Sequence, residues 1–492
     1  MSVSWGAVVV AVCRGSQKAE ETLLSSTEEI LGQICEEARR RGAAFADARS
    51  VESVASSILV QDGRANKAFS SAGFGLSVRV LVDHCWGFSS ADTASLANAR
   101  ACLDEALGLA RASARFVEDK VVIATTAPHV DSERSVGRMM PDEMPAAEKV
   151  RRVLAFEQAG REAGAGKVVN SIVSYSDLFQ IETLANTLGT QIRSETGRSV
   201  LGAQMVVADG DQLQRATEYD AVIGGPEILL DTAPEQLSIL ATQKALALLT
   251  AKKCPAGKFT VIFHPSITGL LVHEALGHNA EADAVASSQS ILEGRLGEML
   301  AAPGVTIVDD STVPGAYGSF KYDSEGTPGS RRVIIDRGKL VGFLHSLETA
   351  GEFGVTPNGA ARADGYDAKP IVRMSNTFME RGTVPFGQMV AGVERGIYLE
   401  DGHWGYVFVQ KGQFICYAGR AHMIEHGRIG EPLRDVSISS MTLDTLRNID
   451  AVGDDFEMDM PGMCGKDGQS APTDAGGPHV RVREVVVGGH EM

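Results

Sequence analysis

His273-Glu274-Ala275-Leu276-Gly277-His278 sets two imidazoles around a carboxylate inside an apolar segment, with Leu270-Leu271-Val272 leading into it. Histidine nitrogens ligate zinc, and a glutamate beside one can take a proton from metal-bound water. These residue types point to metal-assisted hydrolysis. Their spacing is unusual. The H-E-x-x-H motif of zinc proteases holds its histidines one helical turn apart, whereas this chain carries H-E-x-x-x-H. Five residues of regular α-helix turn through about 500°, which leaves the two rings roughly 140° apart. A π-turn, bonded i→i+5, returns such positions to one face, and π-turns are frequent at functional sites. Gly277 has no Cβ to resist distortion and can also end a helix. The spacing therefore predicts a distorted or terminating helix at Gly277.

Catalytic zinc usually takes three protein ligands and keeps one position open. Nearby choices for the third are Glu281 and Asp283; distant ones are His264, His345, Cys416 and Cys464. Cys416 lies in an apolar run and reads as a small buried hydrophobe. His264, next to Pro265, reads as a capping residue. Cys464 differs, because Met463 to Ser470 reads as a polar, glycine-rich loop that can carry a thiolate to a metal, with Lys466 placed to favour the charged sulfur. Glu281 and Asp283 suit two roles equally: orienting imidazole N–H groups, or ending a helix as solvated carboxylates. For an oxyanion, His345, Tyr322 and backbone N–H groups all remain open.

These residues need elements to hold them. Phe259 to Phe263 reads as a buried strand, and His264-Pro265-Ser266 breaks it and caps the helix carrying the motif. Upstream, helical patterns cover Ser26 to Arg41, Thr93 to Ala114, Ala146 to Ala163 and Pro234 to Leu249. Strand signals fall at 46–51, 57–61, 75–82, 168–169, 171–175, 180–182 and 191–193. Downstream, Asp336-Arg337-Gly338, Lys411-Gly412 and His426-Gly427 are hairpin signals between apolar runs, with a further strand at Val305 to Val308. The expected fold class is α+β. A mixed helix and sheet N-terminal domain over 19–250 follows an extension over 1–18. A β-rich, antiparallel C-terminal domain over 251–492 holds the inserted active-site helix. No solenoid-length repeat is present.

With 44% hydrophobic and 22% charged residues, the 492-residue chain has the composition of a water-soluble globular protein. Its net charge of −17 and the lack of any long Lys/Arg run disfavour direct nucleic-acid binding. The seven cysteines are scattered, without C-x-x-C, which favours a reducing compartment over a disulfide framework. The apolar run from Val3 to Val12 is too short to span a bilayer, and no basic region precedes it, so it makes a poor signal peptide.

The His273–His278 motif, Glu281-Ala282-Asp283 and Cys464-Gly465-Lys466-Asp467-Gly468-Gln469-Ser470 together resemble the TldD/PmbA peptidase family. So do Val308-Asp309-Asp310, Asp323 to Gly329, Arg373-Met374-Ser375-Asn376-Thr377, Arg395 to Tyr398 and Val487-Gly488-Gly489. The N-terminal half is similar more weakly, around Asp47 and from Gly73 to Asp92. TldD-like members carry H-E-x-x-x-H and are zinc metallopeptidases, whereas PmbA-like (TldE) members generally lack it and serve as the non-metallated partner. This chain resembles the catalytic kind. The resemblance implies one Zn2+ per chain held by His273, His278 and Cys464, with Glu274 as the base. It implies unfolded or extended peptide substrates, a PmbA/TldE-like partner or a homodimer, and a cytoplasmic location without nucleic acid or membrane. The alternative is a non-catalytic regulatory or binding subunit, since the family has been linked to DNA gyrase modulation and toxin–antitoxin control. Asn279 and Ala282 stand where the family places glycines, a departure that bears on how the chain leaves the helix.

Overall fold

The computed structural model describes residues 17–116 and 120–489. The extension expected over 1–18, with its apolar run, lies outside these residues except for its last two. The architecture is α+β. Among the described residues no helix is long and apolar enough to cross a membrane.

A first sheet is built from very long strands. Phe45–Gln61 lies between Arg64–Val82 and Val168–Asn186, and Gln191–Asp209 follows outward. The sequence predicts shorter strands over the same stretches. Ser/Ala-rich segments such as 52–57 carry no apolar alternation, yet partners on both sides extend the ladder through them. The tight turns are where expected, at Asp62-Gly63, both with positive φ.

Helices cover parts of this sheet. Leu31 and Ile34 of one helix and Leu103 and Leu107 of Leu96–Ser113 bury against Ala46, Leu76 and Val78. Gly87 is required at this contact, because a Cβ there would stand 1.9 Å from the Ala106 carbonyl. Ala146–Ala163 and Ser238–Thr250 form a second cluster with Val173, Leu201 and Met205.

The C-terminal half holds two more sheets with the motif helix between them. Gly257–Phe263 sits in the middle of a ten-stranded sheet and feeds directly into that helix. On the other side, Gln469–Gly477 belongs to a seven-stranded sheet. The helix is apolar nearly all round, and Leu271, Val272, Ala275 and Leu276 enter one large core with Val261, Ile307 and Met379. Gly269 permits close approach to the second sheet, where its Cβ would meet the Gly476 nitrogen at 2.8 Å.

The expectation of a purely antiparallel half is corrected here. Gly396–Leu399 runs parallel to Thr260–Phe263, Asn376–Phe378 parallel to Asp474–Gly476, and Leu433–Arg434 parallel to Lys252–Lys253. Each parallel pair joins segments far apart in sequence, so no hairpin turn announces it. The predicted hairpins at Asp336–Gly338, Lys411-Gly412 and His426-Gly427 are all present.

Candidate metal centre

The helix starts as the sequence dictates. His264 is its N-cap, with Nδ1 accepting the Ser266 N–H at 3.2 Å, and Pro265 occupies the first turn. Pro265–Leu271 is α-helical, and Val272–Gly277 is a π-turn. The His278 N–H bonds to the His273 carbonyl, the i→i+5 bond that the motif spacing demands. The two rings stand with centroids 5.4 Å apart and planes at 85°.

Gly277 does not act through an unusual backbone angle, since its φ of −55° is ordinary helix. Its lack of a side chain matters for packing instead, because a Cβ would lie 2.1 Å from Met374 Sδ. Beyond the π-turn, buried Asn279 anchors the chain. Its Nδ2 donates to the Ala275 carbonyl, and its Oδ1 accepts the Ile291 N–H at 3.1 Å. The Asn279 side chain thus ties down the exit from the helix.

Cys464 arrives on a strand, Gly462–Lys466, rather than on a loop. It pairs with Gln469–Gly477 through a two-residue turn at Asp467-Gly468, both with positive φ. Asp-Gly suits that turn, and its polar look hides the strand. Along the strand Met463 and Gly465 are exposed while Cys464 is buried. Its Sγ lies 3.3 Å from His278 Nε2, across 186 residues of sequence. One ligand atom each from His273, His278 and Cys464 fall within 4.8 Å of one another.

This donor set fits zinc, a borderline-soft ion that takes imidazole and thiolate together. In a tetrahedral site such a sulfur and nitrogen would sit roughly 3.6 Å apart, close to the separation found. All three side chains line a cleft of about 530 Å³. Glu274 lines the same cleft, partly exposed, and no hydrogen bond or ion pair among the described residues ties its carboxylate.

The surroundings set the charges. Burial pushes the Cys464 thiol up, but hydrogen bonds and charge from His273 and His278 outweigh it and bring its pKa down to about 5. Burial opposes charge on His278 too, yet Glu281 and Cys464 hold it well above the usual imidazole value. Metal-stripped protein is therefore expected to carry a thiolate–imidazolium pair. Its thiolate absorbance should titrate with a midpoint near 5 instead of 9, a transition missing from Cys464→Ser. A midpoint near the ordinary thiol value would contradict this geometry.

Glu281 and Asp283 divide their work. Glu281 is 1% exposed and accepts from His278 Nδ1 at 3.2 Å, which directs Nε2 toward the sulfur. Asp283 touches neither histidine. It binds Lys466 Nζ at 2.7 and 2.8 Å, and Glu281 pairs with the same ammonium at 3.2 Å. Lys466 is thus neutralised by two carboxylates, so the imidazoles, not this lysine, lower the thiol pKa.

The other ligand choices fall elsewhere. Cys416 is buried in the strand Gln413–Ala418, its thiol pushed up to about 12 by burial. His345 packs edge-on to Phe343 and Phe353, and burial lowers its pKa to about 4. Tyr322 donates to Asp131, and neither it nor His345 lines the cleft. Tyr219 and Tyr406 do, and neither carried a sequence signal. His264, Glu457 and Asp459 form a second compact group. There the helix cap uses the Nδ1 lone pair of His264, so the proton sits on Nε2, facing Glu457 at 3.7 Å, and cannot give way to a metal while the cap holds.

Residues 256–489 match the model of the PmbA/TldA metallopeptidase C-terminal domain, 46–110 that of domain 1, and 140–249 that of the central domain. A metalloprotease of Methanothermobacter thermautotrophicus is 39% identical over 445 residues, covering 90% of this chain and 95% of that protein. A zinc metalloprotease TldD homolog of Saccharolobus solfataricus is 27% identical over 459 residues, covering 92% and 98%. The crystal structure of TldE from Thermococcus kodakarensis shares the fold with a TM-score of 0.74 at 17% identity, covering 94% of this chain and 100% of that one.

Proposed function

The chain belongs to the PmbA/TldD metallopeptidase family, and we propose that it is a zinc-dependent peptidase acting on unfolded or extended peptides. The observation that carries this reading is the convergence of His273, His278 and Cys464 beside a free Glu274 in one cleft. The two imidazoles and the thiolate would hold one zinc ion per chain. When bound, zinc supplies a Lewis acid that polarises the scissile carbonyl and acidifies a water. Glu274 accepts the proton of the attacking water and delivers it to the departing amine. Glu281 keeps the His278 proton on Nδ1, so that Nε2 stays free to ligate.

An extended substrate suits the walls. Among the described residues Gly462–Lys466 pairs on one side only, with Gln469–Gly477, and its residues line the cleft. A peptide can add to such an edge by main-chain hydrogen bonds. The chain would work with a partner of the same fold, either a PmbA/TldE-like subunit or a second copy. Six free buried cysteines among the described residues suit the reducing cytoplasm.

Metal analysis tests the reading. Purified protein is expected to hold about one zinc per chain, and His273→Ala or His278→Ala should lose it without unfolding. A zinc-free chain that cleaves no peptide yet binds a partner would sink the peptidase reading in favour of a regulatory subunit.

A further inference from the structure

Resting on the zinc-peptidase reading, we infer that Val372–Met374 is a strut that sets the gap between the two ligand-bearing elements, with Arg373 as the positioning residue for Cys464. Neither Arg373 nor Met374 lines the cleft. Arg373 is 1% exposed and the largest of the fully buried side chains. Its guanidinium donates to the carbonyl of Cys464 itself and to that of Gln469 at 3.2 Å. It makes no ion pair with a carboxylate among the described residues, so its hydrogen bonds there go to backbone carbonyls of the ligand hairpin.

Two further cations stitch the same segments together. Lys466 reaches back from the hairpin to the Val372 carbonyl at 3.0 Å. Arg362 donates to the carbonyls of Met374 at 2.8 Å and Pro472 at 2.6 Å. On its other side the strut meets the π-turn, where Met374 Sδ fills the space a Gly277 side chain would need. Its far end is fixed to the sheet. Asp309 accepts the Ser375 N–H at 2.9 Å, and Asn376 Nδ2 donates to the Asp310 carbonyl at 2.6 Å. One short segment therefore touches the helix carrying both imidazoles and the hairpin carrying the sulfur. A shift of a few tenths of an ångström in the strut changes the sulfur–imidazole separation directly. A buried arginine that merely braced a hairpin would govern stability and leave the metal's affinity for folded protein unchanged.

The test uses full-length, folded variants, with zinc affinity measured by chelator competition. The thiolate-to-metal charge-transfer band of cobalt-substituted protein reports the sulfur ligand. Arg373→Met is expected to bind zinc about 10- to 100-fold more weakly and to weaken the band toward that of Cys464→Ser, with partial recovery in Arg373→Lys. Gly277→Ala should also lose affinity, and adding Met374→Ala should restore it by making room for the new methyl group. Affinity and band within about twofold of wild type in Arg373→Met would overturn the strut. So would a Gly277→Ala variant that is unimpaired or not rescued, and this pair decides alone if Arg373→Met fails to fold. Indifference to Arg373 in a chain that binds zinc through Cys464 defeats only the strut. A wild-type chain that binds neither metal defeats the peptidase reading and the strut together.

Discussion

Glu274→Gln is expected to slow turnover of a short unstructured peptide by about a hundred- to ten-thousand-fold, with zinc content and fold unchanged. The amide keeps the size of the side chain and some hydrogen-bonding reach but cannot take a proton. Glu274 follows His273 directly on the π-turn and faces the cleft without a partner among the described residues. A carboxylate held that way meets water and little else. Because substrate would be gripped by other groups, KM should move little and kcat should carry the loss. Steady-state kinetics beside metal analysis separates the cases. Wild-type-like turnover removes Glu274 from the base role, whereas loss of zinc along with rate would make it part of coordination.

Asp309→Ala is the second large effect, and it bears on stability. Asp309 is fully buried and accepts from the Ser375 N–H, Ser375 Oγ at 2.6 Å and Thr377 Oγ1 at 2.7 Å. It also pairs with Arg332 at 2.7 Å, itself 4% exposed. Truncation would strand a buried guanidinium without its counter-charge, a change that costs about 3–5 kcal/mol. Denaturant unfolding of metal-stripped protein should register that loss. A change under about 1 kcal/mol, the scale of an exposed pair, would mean that water or a new partner relieves Arg332. Zinc affinity should fall as well, since Ser375 anchors the segment next to Arg373.

The motif spacing made the π-turn legible, because five-residue separation on one face permits few backbone solutions. The closeness of Cys464 to the two rings follows the expectation, but its setting does not. Asp467-Gly468 and the neighbouring glycines gave a loop signal where the chain makes a tight hairpin. The sequence sets Lys466 beside the thiolate, and no spacing in it reveals that Glu281 and Asp283 bind this lysine. Gly277 stands at the distorted end of the helix as expected, but the atom its missing Cβ makes room for comes from Met374, far along the chain. The parallel strand pairs and the arrival of Tyr219 from the first sheet are likewise products of tertiary contact. Local pattern reports turns and amphipathic faces; it is silent on which distant backbones meet.

The extra residue in the π-turn also bears on how this chain can change length. Deleting one position between the rings, Leu276 for example, would recreate the shorter H-E-x-x-H spelling. An α-turn bonded i→i+4 would then replace the π-turn and still set both rings on one face. Asn279 and Ile291 both lie beyond the deletion, as do His278, Glu281 and Lys466, so these contacts need not break. The six-letter and five-letter spellings thus differ by one residue, which the wider turn absorbs.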